Sequence, residues 1–254
     1  MLIVLLVIAI LITAALSFAI YNKVFINNND LLEDTYKNSL HKAEDSKKSS
    51  RALQNYNNSA EQEFKNIFAV EALSDSIIDR INGVSWIPEA PVKLEELRYI
   101  TVAYWGFDDR THRGELIVHE KLAEEVIEIF TELYDNKYPI YKISLIDDYD
   151  GDDNRSMEDN NTSAFNYRSV PGSSRLSKHS YGTAIDINPV QNPYVDGNNV
   201  YPETGKDYLD RSNIRKGMII EGDICYNAFV GRGWIWGGSW KSTKDYQHFQ
   251  KLID

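Results

Sequence analysis

"SKHSYGTAIDINP" (177–189) decides how the second half of this chain is read. If "TAIDIN" (183–188) is a strand, Ile185 and Ile187 point to one side while Ala184, Asp186 and Asn188 point to the other. The isoleucines then supply core, and Asp186 projects into a cleft where the small Ala184 leaves room beside it. Gly182 lets the backbone turn tightly between His179 and that strand. A buried carboxylate is costly without a partner. His179 and Asp186 therefore read either as hydrogen-bonded core residues or as the near half of a metal site.

"DYQHF" (245–249) offers the other half, with His248 three residues after Asp245. Two histidines and an aspartate make three nitrogen and oxygen ligands, and a catalytic zinc takes three protein ligands while keeping a fourth position for water. Asp245 is then placed to act as general base on such a water. The remaining histidines fit less well. His41 lies in a polar segment, and His112 and His119 stand among charged neighbours. "HEKLAEE" (119–125) carries Ala123 where the H-E-x-x-H pattern needs its second histidine. The acidic run "DDYDGDDNRSMED" (147–159) fails as an EF-hand loop, because the sixth position counted from Asp148 is Asp153 rather than glycine. It reads as a solvated or substrate-facing segment. Cys225 is the only cysteine, so an internal disulfide and a cysteine-based zinc cluster are excluded.

All 14 glycines and all 7 prolines lie beyond residue 82, which marks a boundary, since a compact domain needs turns. Residues 1–21 carry no charge and are long enough to span a bilayer as a transmembrane anchor, favoured here over a cleaved signal segment. Residues 22–82 are rich in Asn, Lys, Glu and Ser and read as a stalk, helical or flexible. Residues 83–254 read as an α+β domain. "LRYITVAYWGF" (97–107) and "KYPIYKISLI" (137–146) have strand character, and Leu122, Val126, Ile129, Phe130 and Leu133 follow helical spacing. The net charge of −11 argues against nucleic acid as a partner.

"SKHSYGTAID" matches S-x-H-x-x-G-x-A-x-D, and "DYQHF" matches a later D/E-x-x-H element. Together they resemble the M15 zinc metallopeptidases, the D-alanyl-D-alanine carboxypeptidase and VanY type. The flanking "NNTSAFNYR" (160–168), "AIDINPVQNPYV" (184–195) and "GWIWGGSWKSTKDYQHF" (233–249) look most like the branch of peptidoglycan L-alanyl-D-glutamate endopeptidases. The similarity covers roughly residues 83–254. It implies a compact peptidase domain with a small antiparallel sheet and flanking helices, and Zn²⁺ held by His179, Asp186 and His248. It implies Asp245 as the catalytic carboxylate and Arg168 near the scissile carbonyl, with Arg175 a rival for that place. Ser177 is expected to orient a ligand by a hydrogen bond. Tyr181, Trp240 and Tyr246 are candidates for substrate contact or for packing.

The implied activity is zinc-dependent hydrolysis within peptidoglycan stem peptides, with the L-Ala–D-Glu bond favoured. A D-Ala-D-Ala carboxypeptidase is the alternative within the family. A non-catalytic zinc-containing wall-binding module is the alternative outside it, and the presence of Asp245 speaks against that. Such a substrate implies a bacterial cell-membrane protein with residues 1–20 in the membrane and the catalytic domain outside.

Overall fold

Alternation of apolar residues builds the central hairpin. Strands β2 (Leu97–Trp105) and β3 (Thr111–His119) pair antiparallel in a register that sets Ile100 opposite Leu116 and Tyr99 opposite Ile117. Successive side chains of a strand point to opposite faces. Ile100, Val102, Tyr104, Leu116 and Val118 thus enter one core, while Leu97 and Ile117 enter a second core with Ile81, Val92, Leu145 and Phe165. The computed structural model describes residues 67–170 and 172–253, all within one unit, 63–254.

Helix α2 (Glu120–Asp135) follows β3 directly and buries Leu122, Ala123, Val126, Ile129, Phe130 and Leu133 on one stripe. That spacing is the apolar face expected at 3.6 residues per turn. His119 is its N-cap: Nδ1 accepts the backbone N–H of Lys121 at 3.1 Å. The resemblance of "HEKLAEE" to a metal motif thus resolves into a cap, one of the polar side chains that satisfy orphan helix donors.

The N-terminal boundary of the domain lies earlier than the expected residue 83. Strand β1 (Ala69–Ala72) pairs antiparallel with β2, and helix α1 (Asp75–Ile81) places Ile81 in the second core. These segments lack glycine and proline because they are regular elements, not because they are a stalk. The rest of the expected stalk and the whole anchor segment 1–21 lie outside the described residues. Among the described residues no helix is long and apolar enough to cross a membrane.

The expected strand 137–146 shrinks to β4 (Lys142–Ile143), which pairs parallel with β5 (Asn161–Thr162). Pro139 has no N–H to give a ladder. Part of the acidic run is helical: Asp153–Glu158 forms helix α3, capped by Asp152. Further on, β6 (Ala184–Asp186), β11 (His248–Gln250) and β9 (Ile235–Trp236) form a sheet in the order β6-β11-β9. Strands β7 (Tyr194–Asp196), β8 (Asn199–Tyr201) and β10 (Lys244–Asp245) form another in the order β10-β7-β8. Phe249 of β11 stacks on Phe229 of helix α4 (Ile224–Val230) with ring centroids 4.1 Å apart, which seats the β6-β11-β9 sheet on the main core.

Buried amides hold the irregular segments. Asn192 Nδ2 donates to the carbonyls of Ile187, Asn188 and Gly217, and its Oδ1 accepts from Ile219 N and Arg211. Asn188 accepts from Tyr141 N and donates to Pro139 O, with a left-handed φ of 47°. Such fully satisfied polar groups specify one loop arrangement.

Gly182 fastens the two halves of the unit. Its φ is +66°, its carbonyl accepts His119 N–H at 2.8 Å, and a Cβ there would stand 2.6 Å from His119 N. Gly83 has a similar φ of +81° but nothing within 4 Å of an added Cβ. Gly83→Ala should therefore cost only the left-handed backbone penalty, about 1–2 kcal/mol. Gly182→Ala should cost clearly more, about 3 kcal/mol or above, through the added clash. Urea unfolding of the two variants checks the difference, and equal costs would refute the close-approach explanation.

Candidate metal centre

Strand pairing places the first two donors. In the antiparallel register of β6 with β11, Asp186 stands directly opposite His248, and Ile185 opposite Phe249. Directly opposite residues share a face, so Asp186 and His248 point together into the cleft while Ile185 and Phe249 point together into the core. His179 comes from the 3-10 turn Lys178–Tyr181, which Ser177 opens and Gly182 closes.

Each ring is oriented by the nitrogen that faces away from the cluster. His179 Nδ1 donates to the carbonyl of Ala164, leaving Nε2 with its lone pair toward the cleft. His248 Nε2 donates to Gln250 Oε1 at 3.1 Å, leaving Nδ1 for the same point. Such outer hydrogen bonds fix tautomer and orientation in metal-binding histidines. Ser177 Oγ accepts the backbone N–H of His179 at 3.3 Å, a hydrogen bond to the candidate ligand that acts on its turn. Gln250 and the Ala164 carbonyl escaped the sequence reading. The i,i+2 spacing of His248 and Gln250 on one strand was a usable signal for the first, whereas a backbone carbonyl has none.

The three donors converge. Ligand atoms of His179, Asp186 and His248 lie within 4.8 Å of one another, and all three residues are buried. His179 Nε2 is 3.2 Å from His248 Nδ1 and 3.2 Å from Asp186 Oδ2, and His248 Nδ1 is 2.9 Å from Asp186 Oδ1. Donors at tetrahedral corners about 2.0–2.1 Å from a zinc ion are roughly 3.3 Å apart. The set fits such an ion in composition and spacing.

Electrostatics agree. Burial alone would raise the Asp186 carboxyl, but His179 and His248 outweigh it and hold the pKa well below the usual carboxylate range. Burial would lower His248, yet its hydrogen bond to Asp186 and the negative charges nearby raise it to about 9. Asp245 behaves in the opposite way. Burial is the largest influence, Asp186 adds to it, and despite His248 and Arg168 the carboxyl is pushed up to about 7. Its Oδ1 is shut off from solvent and has no hydrogen-bond partner. A carboxyl titrating near neutrality can both take and return a proton.

The motif glycines around Asp245 have a steric reason. A Cβ at Gly237 would stand 2.8 Å from Asp245 Cβ, and one at Gly238 would strike the Trp236 ring at 2.3 Å. Only glycine lets this turn close over β10.

Asp245, the three candidate ligands, Arg168, Tyr181 and Trp240 line one cleft of about 960 Å³. Trp240 leans on the His248 ring, with centroids 5.5 Å apart. Arg168 is tied to the turn of His179, exchanging bonds with Ser180 Oγ at 3.0 and 2.8 Å. Its guanidinium pairs with Asp153 at 2.9 Å, while its Nε is buried without a partner. The acidic segment thus reaches the cleft through Asp153. Arg175 also lines the cleft, from a more exposed position. Tyr246 does not line it: the Arg211 guanidinium lies 4.4 Å from its ring centre, and it packs against the core.

A metal entering this set must displace the proton that Asp186 holds on His248. Binding at pH 7 should release about one proton, and apparent affinity should rise about tenfold per pH unit up to roughly pH 9. Titration calorimetry of Zn²⁺ in buffers of different ionisation enthalpy measures both. Gln250→Ala, which frees His248 to rotate, should weaken metal binding about 10–100-fold.

No solved structure matches the chain. A family model described as D-alanyl-D-alanine carboxypeptidase matches residues 171–251. That stretch contains all three candidate ligands and Asp245, and Arg168 stands just before it. The match supports the M15 peptidases for this part of the chain.

Proposed function

We propose that this protein is a zinc-dependent peptidase that hydrolyses peptide bonds in peptidoglycan stem peptides, with the L-Ala–D-Glu bond as the favoured target. The observation that carries the reading is the convergence of His179, Asp186 and His248 beside Asp245, a carboxyl raised to about 7, in one open cleft. When bound, zinc supplies a Lewis acid that polarises a carbonyl and lowers the pKa of water toward neutrality.

The chain's own residues supply the rest. Asp245 accepts the proton of the attacking water and returns it to the leaving amine, which its near-neutral pKa allows. Arg168 donates from its unpartnered Nε to the developing oxyanion, while Asp153 holds the other side of the guanidinium. Trp240 and Tyr181 wall the cleft against water and orient the peptide. His179 Nε2 and His248 Nδ1 would hold the metal, because their outer nitrogens are occupied by the Ala164 carbonyl and Gln250.

The description of the matching family model favours a second reading, removal of the terminal residue from D-Ala-D-Ala stems. The two share every step above and differ in the product. In either case residues 1–20 are proposed to tether the chain to the membrane with the cleft on the wall side.

Digestion of purified peptidoglycan by the full chain, with and without chelator, tests the proposal. New N-terminal D-glutamate is expected, released D-alanine would establish the second reading, and no chelator-sensitive product at all would overturn both. His179→Ala should lose metal and activity together. Asp245→Asn should keep metal and lose at least about 100-fold in kcat. Arg168→Ala should lower kcat about 100–1,000-fold, the usual loss for one oxyanion donor.

A further inference from the structure

Behind the turn that carries His179 lies a second, smaller cavity of about 280 Å³. Lys178 and Tyr181 line both this cavity and the main cleft, so the two adjoin across one side of the turn. Three features give the small cavity a chemical preference. The half-buried Lys178 ammonium sits 5.3 Å from the centre of the Tyr181 ring and has no carboxylate within ion-pair distance among the described residues. A cation held over an aromatic face at the edge of a cavity remains free to take an anion. His119 is 7 % exposed and lines the same cavity. Its Nδ1 is occupied by the Lys121 N–H and burial lowers its pKa, so the neutral ring presents an Nε2–H donor.

Of the other charges, the Lys251 ammonium is taken by Glu125 at 2.7 Å and the Arg232 carbonyl, while Glu96 accepts the Lys93 backbone N–H at 2.9 Å and keeps its negative charge, so Lys178 is the cation left to meet an anion. Leu252, 66 % exposed, adds an apolar edge. One free ammonium, one neutral N–H donor and an apolar edge suit a carboxylate on a short aliphatic stem. On a chain of net charge −11 such a cation must be local to attract an acidic peptide.

We propose that this cavity is an anion subsite of the main cleft, in which Lys178 and His119 bind a free carboxylate of the stem peptide and thereby set specificity for acidic over amidated peptides. The inference rests on the stem-peptide reading. Lys178 is distinct from the expected metal ligands, and its side chain meets the substrate beside the His179 turn, from the side where the two cavities adjoin.

The test uses the zinc-loaded full chain carrying Asp245→Asn, which binds peptide without turnover. It is titrated by calorimetry with L-alanyl-D-glutamyl-L-lysine and with the same peptide whose D-glutamate α-carboxylate is a carboxamide. The acidic peptide should bind about tenfold more tightly, the worth of one good charge-assisted contact. Adding Lys178→Met should abolish that difference by weakening the acidic peptide alone, and Lys178→Arg should restore it. His119→Asn, which keeps a side chain suited to the helix cap, should reduce the difference. Metal content measured on each variant keeps a damaged centre from passing for a lost subsite. Equal binding of the two peptides, or a Lys178→Met loss shared by both, overturns the subsite. Selective binding by this chain together with no cleavage by the wild type overturns the peptidase reading and leaves the subsite standing.

Discussion

The pairing of β6 with β11 is the constraint on which the site depends. It joins residues more than sixty positions apart and sets Asp186 directly across from His248. A slip of one residue would set Asp186 opposite Phe249 and reverse the faces of one strand relative to the other, so Asp186 and His248 would no longer share the cleft. The register is therefore held by burial: Ile185, Ile187 and Phe249 are fully buried, and the Phe249–Phe229 stack fixes the strand against helix α4. The same apolar face that stabilises the sheet aims its polar face.

The third donor depends on a different kind of contact. His179 is delivered by a short turn pressed against the end of β3, and the absence of a side chain at Gly182 permits that approach. The ring is then locked from behind by a backbone carbonyl. Gly237 and Gly238 do the equivalent for Asp245. The glycines of the motif are thus steric allowances for polar groups, and the chemistry of the site follows from how closely backbone segments pack.

Within this frame the carboxyls are pushed apart. Asp186 lies between two imidazoles and stays ionised, whereas Asp245 is sealed at one oxygen with only more distant cationic influence and titrates near neutrality. Divergent environments for neighbouring acids suit the proposed division between a ligand, Asp186, and a base, Asp245. Arg168 belongs to the same arrangement, since it lines the cleft, pairs with Asp153 and keeps a buried Nε without a partner.

Much of this was legible in the amino-acid sequence. The alternation in "TAIDIN" gave the facing of Asp186, the helical stripe of Leu122 to Leu133 gave α2, and the two spaced motifs named the donors. Local periodicity and residue chemistry are sufficient for such features because they depend on near neighbours. What only the tertiary structure decided is mostly long-range contact: β1 and α1 joining the domain ahead of residue 83, the Ala164 carbonyl orienting His179, Asp153 engaging Arg168, and Tyr246 packing away from the cleft. These have no local signature, because a hydrogen bond or a packing contact between distant segments is a property of the folded register and not of spacing along the chain. The His119 cap and the His248–Gln250 bond span only two residues, and there the fold decided which of several local uses the spacing serves.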